Sequence, residues 1–182
     1  MLAKIRHYVS ESTLLNIYHG IFSSLLTYGS QVWGQSINKH ISRLQRIQNR
    51  AIRIINFANF REPSSPLYNK SKILKFSDHI NLQNFFFVHD SLKGSLPLAL
   101  KDSFQLAQDT YSYNTRGASQ FKMVLPKART QVYGIKSIKY QSAAFWNMII
   151  SLLPREELHL QGKSICKKII TKYFLDSYIS QT

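Results

Sequence analysis

Between about Asn38 and about Phe57 the chain changes its chemistry with the period of an α-helix, and no other stretch constrains the fold as strongly. Ile41, Leu44, Ile47, Ala51, Ile54 and Ile55 recur at three- and four-residue steps and read as one apolar side. At 100° per residue, Lys39, Arg43, Arg46, Arg50 and Arg53 share an arc of about 80° opposite them. A helix divided in this way must bury one face and leave the other to water or to an anion. With 182 residues, 44% of them hydrophobic, the chain has the material for a core to receive it.

Further helices follow from the same pattern. Leu14, Ile17, Ile21, Leu25, Tyr28 and Val32 predict one from about Ser12, its N-cap, to about Tyr28, stopped by Gly29. Asn59 to Lys72 holds Pro63 and Pro66 in a polar setting and reads as a loop with at most a short helical turn. Ser77 or Asp78 caps a helix running through Leu92 and closed by Gly94, with Phe85-Phe86-Phe87-Val88 as its most buried run. The phenylalanines point to different faces, so they read as core rather than as base-stacking platforms. Alternation around Phe121, Met123 and Leu125 suggests a short hairpin between Tyr111 and Tyr140. Two closing helices are expected, one carrying Phe145, Trp146 and Ile149 and ending before Pro154, the other from about Lys163 to Tyr178. The fold class is therefore mainly α with a small β-hairpin, an α+β arrangement.

Charge narrows the partners. Lys and Arg number 24 against 9 Asp and Glu, a net +15, and the successive thirds of the chain carry +6, +2 and +7. A surface of that sign suits a polyanion, with nucleic acid first. From Arg43 to Arg53 the helix rises roughly 15 Å, enough to meet two or three consecutive phosphates. The alternative for these cations is a solvated helix face. Lys163, Lys167, Lys168 and Lys172 form a second basic face with the same two readings.

Several classes are disfavoured. The single cysteine, Cys166, cannot form an intrachain disulfide, and the N-terminal residues carry no apolar signal segment, so an intracellular protein of nucleus or cytoplasm is expected rather than a secreted one. Residues 12–38 lack Lys, Arg, Asp and Glu, yet Asn16, His19, Ser23, Ser24, Thr27, Ser30 and Gln31 interrupt them too often for lipid, so no membrane partner is expected. The acidic residues are scattered rather than grouped to hold two metal ions, and Glu156-Glu157 after Pro154 reads as a helix first turn. No catalytic residue, metal ligand, phosphate-cradling glycine loop or small-molecule site is identified.

The wording of the sequence adds a resemblance. The string LLNIYHGIFSSLLTYGSQVWG followed by ISRLQRIQNRAIRII resembles the segment beyond the palm, in the thumb region, of jockey-like and related LINE-type (non-LTR) retrotransposon reverse transcriptases. The matching positions are Tyr28, Gly29, Val32, Trp33, Gly34, Leu44, Gln45, Gln48, Arg50, Ala51, Arg53, Ile54 and Ile55. The likeness runs on through Ile73 to Phe76, Leu96-Pro97, Tyr113-Asn114-Thr115-Arg116, Pro126, Ala128, Arg129, Thr130, Gly134 and Trp146-Asn147. It departs where Leu153-Pro154 falls several residues after Trp146-Asn147, and where Cys166 stands in place of the family's Phe.

The resemblance implies a thumb-like helical segment over 1–58, a helical connecting segment over 59–110 and a hairpin-and-helix region over 111–182. It implies RNA and DNA, as template and primer, and the palm of the parent polymerase as partners. The resemblance also implies a parent RNA-directed DNA polymerase whose Mg²⁺ belongs to the palm; because the family's aromatic-x-Asp-Asp motif is absent here, this chain alone is expected to be noncatalytic and without a cofactor. Expected nucleic-acid contacts are Lys39, Arg43, Arg46, Arg50, Arg53, Arg116 and Arg129; the last two, beside turn residues, could clamp a phosphate or tie loops together. The competing expectation is a host-adopted or decayed fragment serving as a protein-interaction scaffold.

Overall fold

A computed structural model describes residues 2–34, 38–100, 102–110, 121–153 and 161–179, and leaves the side chains of Asn38, Lys39 and Val132 undescribed. Helices dominate: α1 (Leu2–Ile5), α2 (Glu11–Ile17), a π-helical turn (Tyr18–Ser23), α3 (Ser24–Thr27), α4 (Ser30–Trp33) and α5 (Asn38–Ile55). They continue as α6 (Ser64–Lys70), α7 (Phe76–Leu92), α8 (Ala107–Thr110), α9 (Ile138–Leu152) and α10 (Lys163–Ile179). The chain divides into two compact units, Met1–Ile80 with Ile170–Thr182, and Asn81–Ile169.

In the first unit α2 begins two residues earlier than the sequence suggests. Ser10, not Ser12, is the N-cap, its hydroxyl accepting from the Thr13 N–H at 3.3 Å. The larger departure is the π-helical turn, whose extra residue shifts the phase of the helix as far as Thr27, where the chain breaks before α4. Leu14 and Tyr18 are buried, but Ile21, Leu25, Tyr28 and Val32, expected on the same buried face, are exposed. Gly29 ends this region as expected, at φ +61°, where a side chain would be strained. Trp33 then stacks on Phe76 with ring centroids 5.4 Å apart, its indole N–H donating to the Tyr28 carbonyl at 2.8 Å.

Helix α5 buries Ala51, Ile52 and Ile55, while Ile47 is exposed. Ile47 lies about 100° from the centre of the buried arc, beside the arginines, and Gln48 occupies that centre instead. The expected loop after α5 contains a real helix, α6, because Leu67 and Tyr68 are buried within it. Tyr68 meets Tyr178 of α10 edge-on at 6.1 Å. Burying a side chain of this size contributes about 1.5–3 kcal/mol, which outweighs the polar composition that suggested a loop.

In the second unit Phe85 and Trp146 stack at 4.8 Å between centroids, both fully buried, and Phe86 and Val88 join the same core. Of the expected hairpin, residues 111–120 lie outside the described set. Among the described residues there is no strand, and a lone antiparallel bridge joins Leu106 to Met123. On one edge the Val124 N–H donates to the Gln105 carbonyl at 2.9 Å and the Lys122 carbonyl accepts from the Ala107 N–H at 2.8 Å, and on the other the stretch faces a helix. Asn147 on α9 accepts from the Met123 N–H at 2.7 Å and donates to the Met123 carbonyl at 3.0 Å. Trp146 donates to the Phe121 carbonyl at 3.0 Å. With both backbone edges of the stretch occupied at Met123, the alternating Phe121–Leu125 segment pairs with no further strand among the described residues. Gly134 serves close approach: a Cβ there would stand 2.8 Å from that of Ala128.

Candidate nucleic-acid interface

Helix α5 contains no acidic residue, so nothing along it offsets its cations. Arg43, Arg46 and Arg50 are exposed and have no hydrogen-bond or ion-pair partner among the described residues. Arg53 is half-buried, and its Nε donates to the Glu62 carbonyl at 2.7 Å. That bond turns the fourth arginine of the stripe into an anchor for the following loop. The Lys39 side chain and all of Arg116 lie outside the described residues. Arg129 is exposed and belongs to the second unit, apart from the α5 stripe in sequence and in unit.

The opposite face of α5 is held in place by a polar network that the sequence pattern does not reveal. Gln48, only 2% exposed, accepts from the Phe76 N–H at 2.8 Å and donates to the Tyr18 hydroxyl and the Leu74 carbonyl, both at 2.9 Å. Gln45 accepts from the same Phe76 N–H at 2.9 Å, and its Nε2 lies within 2.9 Å of the Tyr68 hydroxyl and Asn49 Oδ1. The Tyr68 hydroxyl in turn donates to Asn49 Oδ1 at 2.8 Å. Burial raises the Tyr18 and Tyr68 hydroxyls above the usual tyrosine range, with the glutamine bonds opposing it, so both stay neutral donors and acceptors.

The two glutamines thus clamp the backbone where α7 begins and fix the rotation of α5 about its axis. That rotation is what turns the arginine arc outward. In the sequence Gln45 and Gln48 look like solvated positions; the signal for their burial was that neither shares the arginine arc.

The same network extends to α10. Tyr178 donates to Asp78 Oδ2 and accepts from the Lys75 N–H at 3.0 Å, with the Lys75 ammonium 4.4 Å from its ring centre. Burial raises the Asp78 carboxyl above the ordinary aspartate range, against the pull of the Tyr178 hydrogen bond and the Lys75 charge.

Beyond Ile55 the helix closes in a left-handed turn. The Ala58 N–H reaches the Arg53 carbonyl at 3.0 Å, and Phe57 takes φ +55°, a position that glycine normally fills. The Arg6 guanidinium lies 5.1 Å from the centre of the Phe57 ring. Asn59 to Glu62 then form a tight turn, with the Glu62 N–H donating to the Asn59 carbonyl at 3.1 Å and Glu62 Oε2 accepting from the Asn59 N–H at 3.1 Å. Phe60 and Arg61 stand at its tip, both exposed.

No helix among the described residues is long and apolar enough to cross a membrane. No protein-family profile matches the chain, and neither does any solved structure. A probable RNA-directed DNA polymerase from transposon X-element of Drosophila melanogaster is 33% identical over 92 residues, which is 50% of this chain and 10% of that protein. The chain therefore spans only a small part of that relative's length. Half of it is a region related to a retrotransposon reverse transcriptase.

Proposed function

We propose that the chain is a noncatalytic piece of a LINE-type, jockey-like retrotransposon polymerase, thumb-like in role, that grips the sugar-phosphate backbone of template and primer. The observation that carries this reading is the row of Arg43, Arg46 and Arg50, exposed and without a partner among the described residues, along an acid-free helix whose rotation is fixed by Gln45 and Gln48. An arginine fork meets a phosphate with two parallel hydrogen bonds and stays charged at any physiological pH. Such contacts fix register without reading sequence. The similarity to a transposon polymerase supports RNA and DNA as partners.

A protein partner is also expected. Ile21, Leu25, Tyr28 and Val32 leave an apolar row in the open, which under this reading meets the palm of the same polymerase. The row equally favours a second reading, a protein-interaction scaffold. Salt dependence separates the two. With Arg46 and Arg50 both changed to Gln, the slope of log K against log salt on duplex DNA should flatten by about two units, since each neutralised phosphate contributes roughly −0.9. Lys167 and Lys168 changed in the same way should do less. An unchanged slope in the arginine double variant, with helicity intact, would transfer preference to the scaffold reading.

A further inference from the structure

The geometry points to a base-stacking platform for single-stranded nucleic acid at the C-terminal end of the arginine stripe, built from Phe57 and Phe60. This rests on the backbone-gripping reading above and adds to it a strand type. Phe60 is 81% exposed at the tip of a tight turn, and Phe57 is 45% exposed in a left-handed conformation that its side chain disfavours. Neither is left out for want of local order. The turn is closed by its own backbone hydrogen bond, its Glu62 carboxylate is folded back onto the Asn59 N–H, and Arg53 holds its carbonyl at 2.7 Å.

The surroundings select the occupant. Arg53 belongs to the arginine stripe, Arg61 shares the turn tip with Phe60, and Arg6 lies against the Phe57 ring. The one acidic side chain of the turn, Glu62, is committed to Asn59. Exposed rings beside a track of cations are what a single strand requires, because its phosphates follow the charges while its unstacked bases find π-faces. A duplex keeps its bases stacked on one another and gains nothing from the rings. An RNA or DNA strand leaving a paired region along α5 would therefore meet phosphate contacts first and the phenylalanines next.

The test uses the whole chain and two labelled probes of about twelve nucleotides, within the span of single-strand sites. One is oligothymidylate; the other is an all-abasic strand with the same backbone charge. Fluorescence anisotropy should show the wild type binding oligothymidylate more tightly. Phe60→Ala should weaken that binding about 5- to 150-fold while leaving the abasic affinity and the salt slope unchanged. Phe57→Leu, which keeps apolar bulk but removes the ring, should act in the same direction, with circular dichroism confirming the fold.

Arg46→Gln with Arg50→Gln should instead weaken both probes and flatten the slope. Equal affinity of the wild type for the two probes, or phenylalanine variants that bind both like the wild type, overturns the platform while leaving the arginine stripe standing. An unchanged slope in the arginine variant with loss of oligothymidylate binding in Phe60→Ala overturns the stripe and keeps the platform. Sedimentation in which Phe60→Ala abolishes self-association but not strand binding identifies a protein interface and overturns the platform.

Discussion

Replacing Gln48 by Leu asks whether the buried glutamine clamp fixes α5. The substitution keeps the volume close to native and removes only the amide. The Phe76 N–H would still find Gln45 Oε1 at 2.9 Å, so that donor stays satisfied. The Leu74 carbonyl and the Tyr18 hydroxyl would each lose the bond that Gln48 Nε2 makes at 2.9 Å. Two polar groups left buried without partners cost about 1–3 kcal/mol each, and burying the added apolar atoms returns about 1 kcal/mol. The net loss should be roughly 1–5 kcal/mol, a large share of the ~5–15 kcal/mol that holds a typical domain together.

Gln45→Leu should cost less. Gln48 still accepts from Phe76, and Tyr68 still donates to Asn49 at 2.8 Å. Urea unfolding of both variants measures the difference, and in a thermal melt the Gln48 variant should fall about 2–20 °C below the wild type. A Gln48→Leu protein within about 0.5 kcal/mol of wild type, or a Gln45→Leu protein equally destabilised, would refute the clamp.

Two further predictions concern stability. Asn147→Leu should leave the Met123 N–H and carbonyl without their partner and cost about 1–5 kcal/mol; a loss under about 0.5 kcal/mol by thermal melting would show that Asn147 does not hold this backbone edge. Asp78 should make stability depend on pH. Its folded-state pKa is raised by burial, so the folded protein holds a proton that the unfolded chain has released. That contribution is complete below the unfolded value of about 4 and is lost as pH rises through the raised folded value. Asp78→Asn should therefore have the flatter profile of stability against pH, and parallel profiles for the two proteins would reject this assignment.

The sequence by itself determined the helical class, the position and polarity of α5, and the division of that helix into a cationic and a buried side. Those depend on 3.6-residue periodicity, which is local and survives any tertiary arrangement. It also placed Gly29 at a turn and Trp146 in the core, because backbone requirements and ring size act wherever the residue lies.

Tertiary structure decided the rest. The π-helical turn at Tyr18–Ser23 shifted Ile21 and Leu25 outward, and the left-handed break at Gly29 set Tyr28 and Val32 on a separate course; no residue spacing announces the π insertion. In place of the expected hairpin, the stretch around Met123 pairs one backbone edge with residues 105–107 and the other with Asn147, 24 residues away. Gln45 and Gln48 became the clamp on Phe76, and Phe57 and Phe60 became exposed, through partners distant in sequence or through a turn tied down by Arg53. A polar side chain is buried or solvated according to what folding brings against it, and that partner is not encoded in its neighbours.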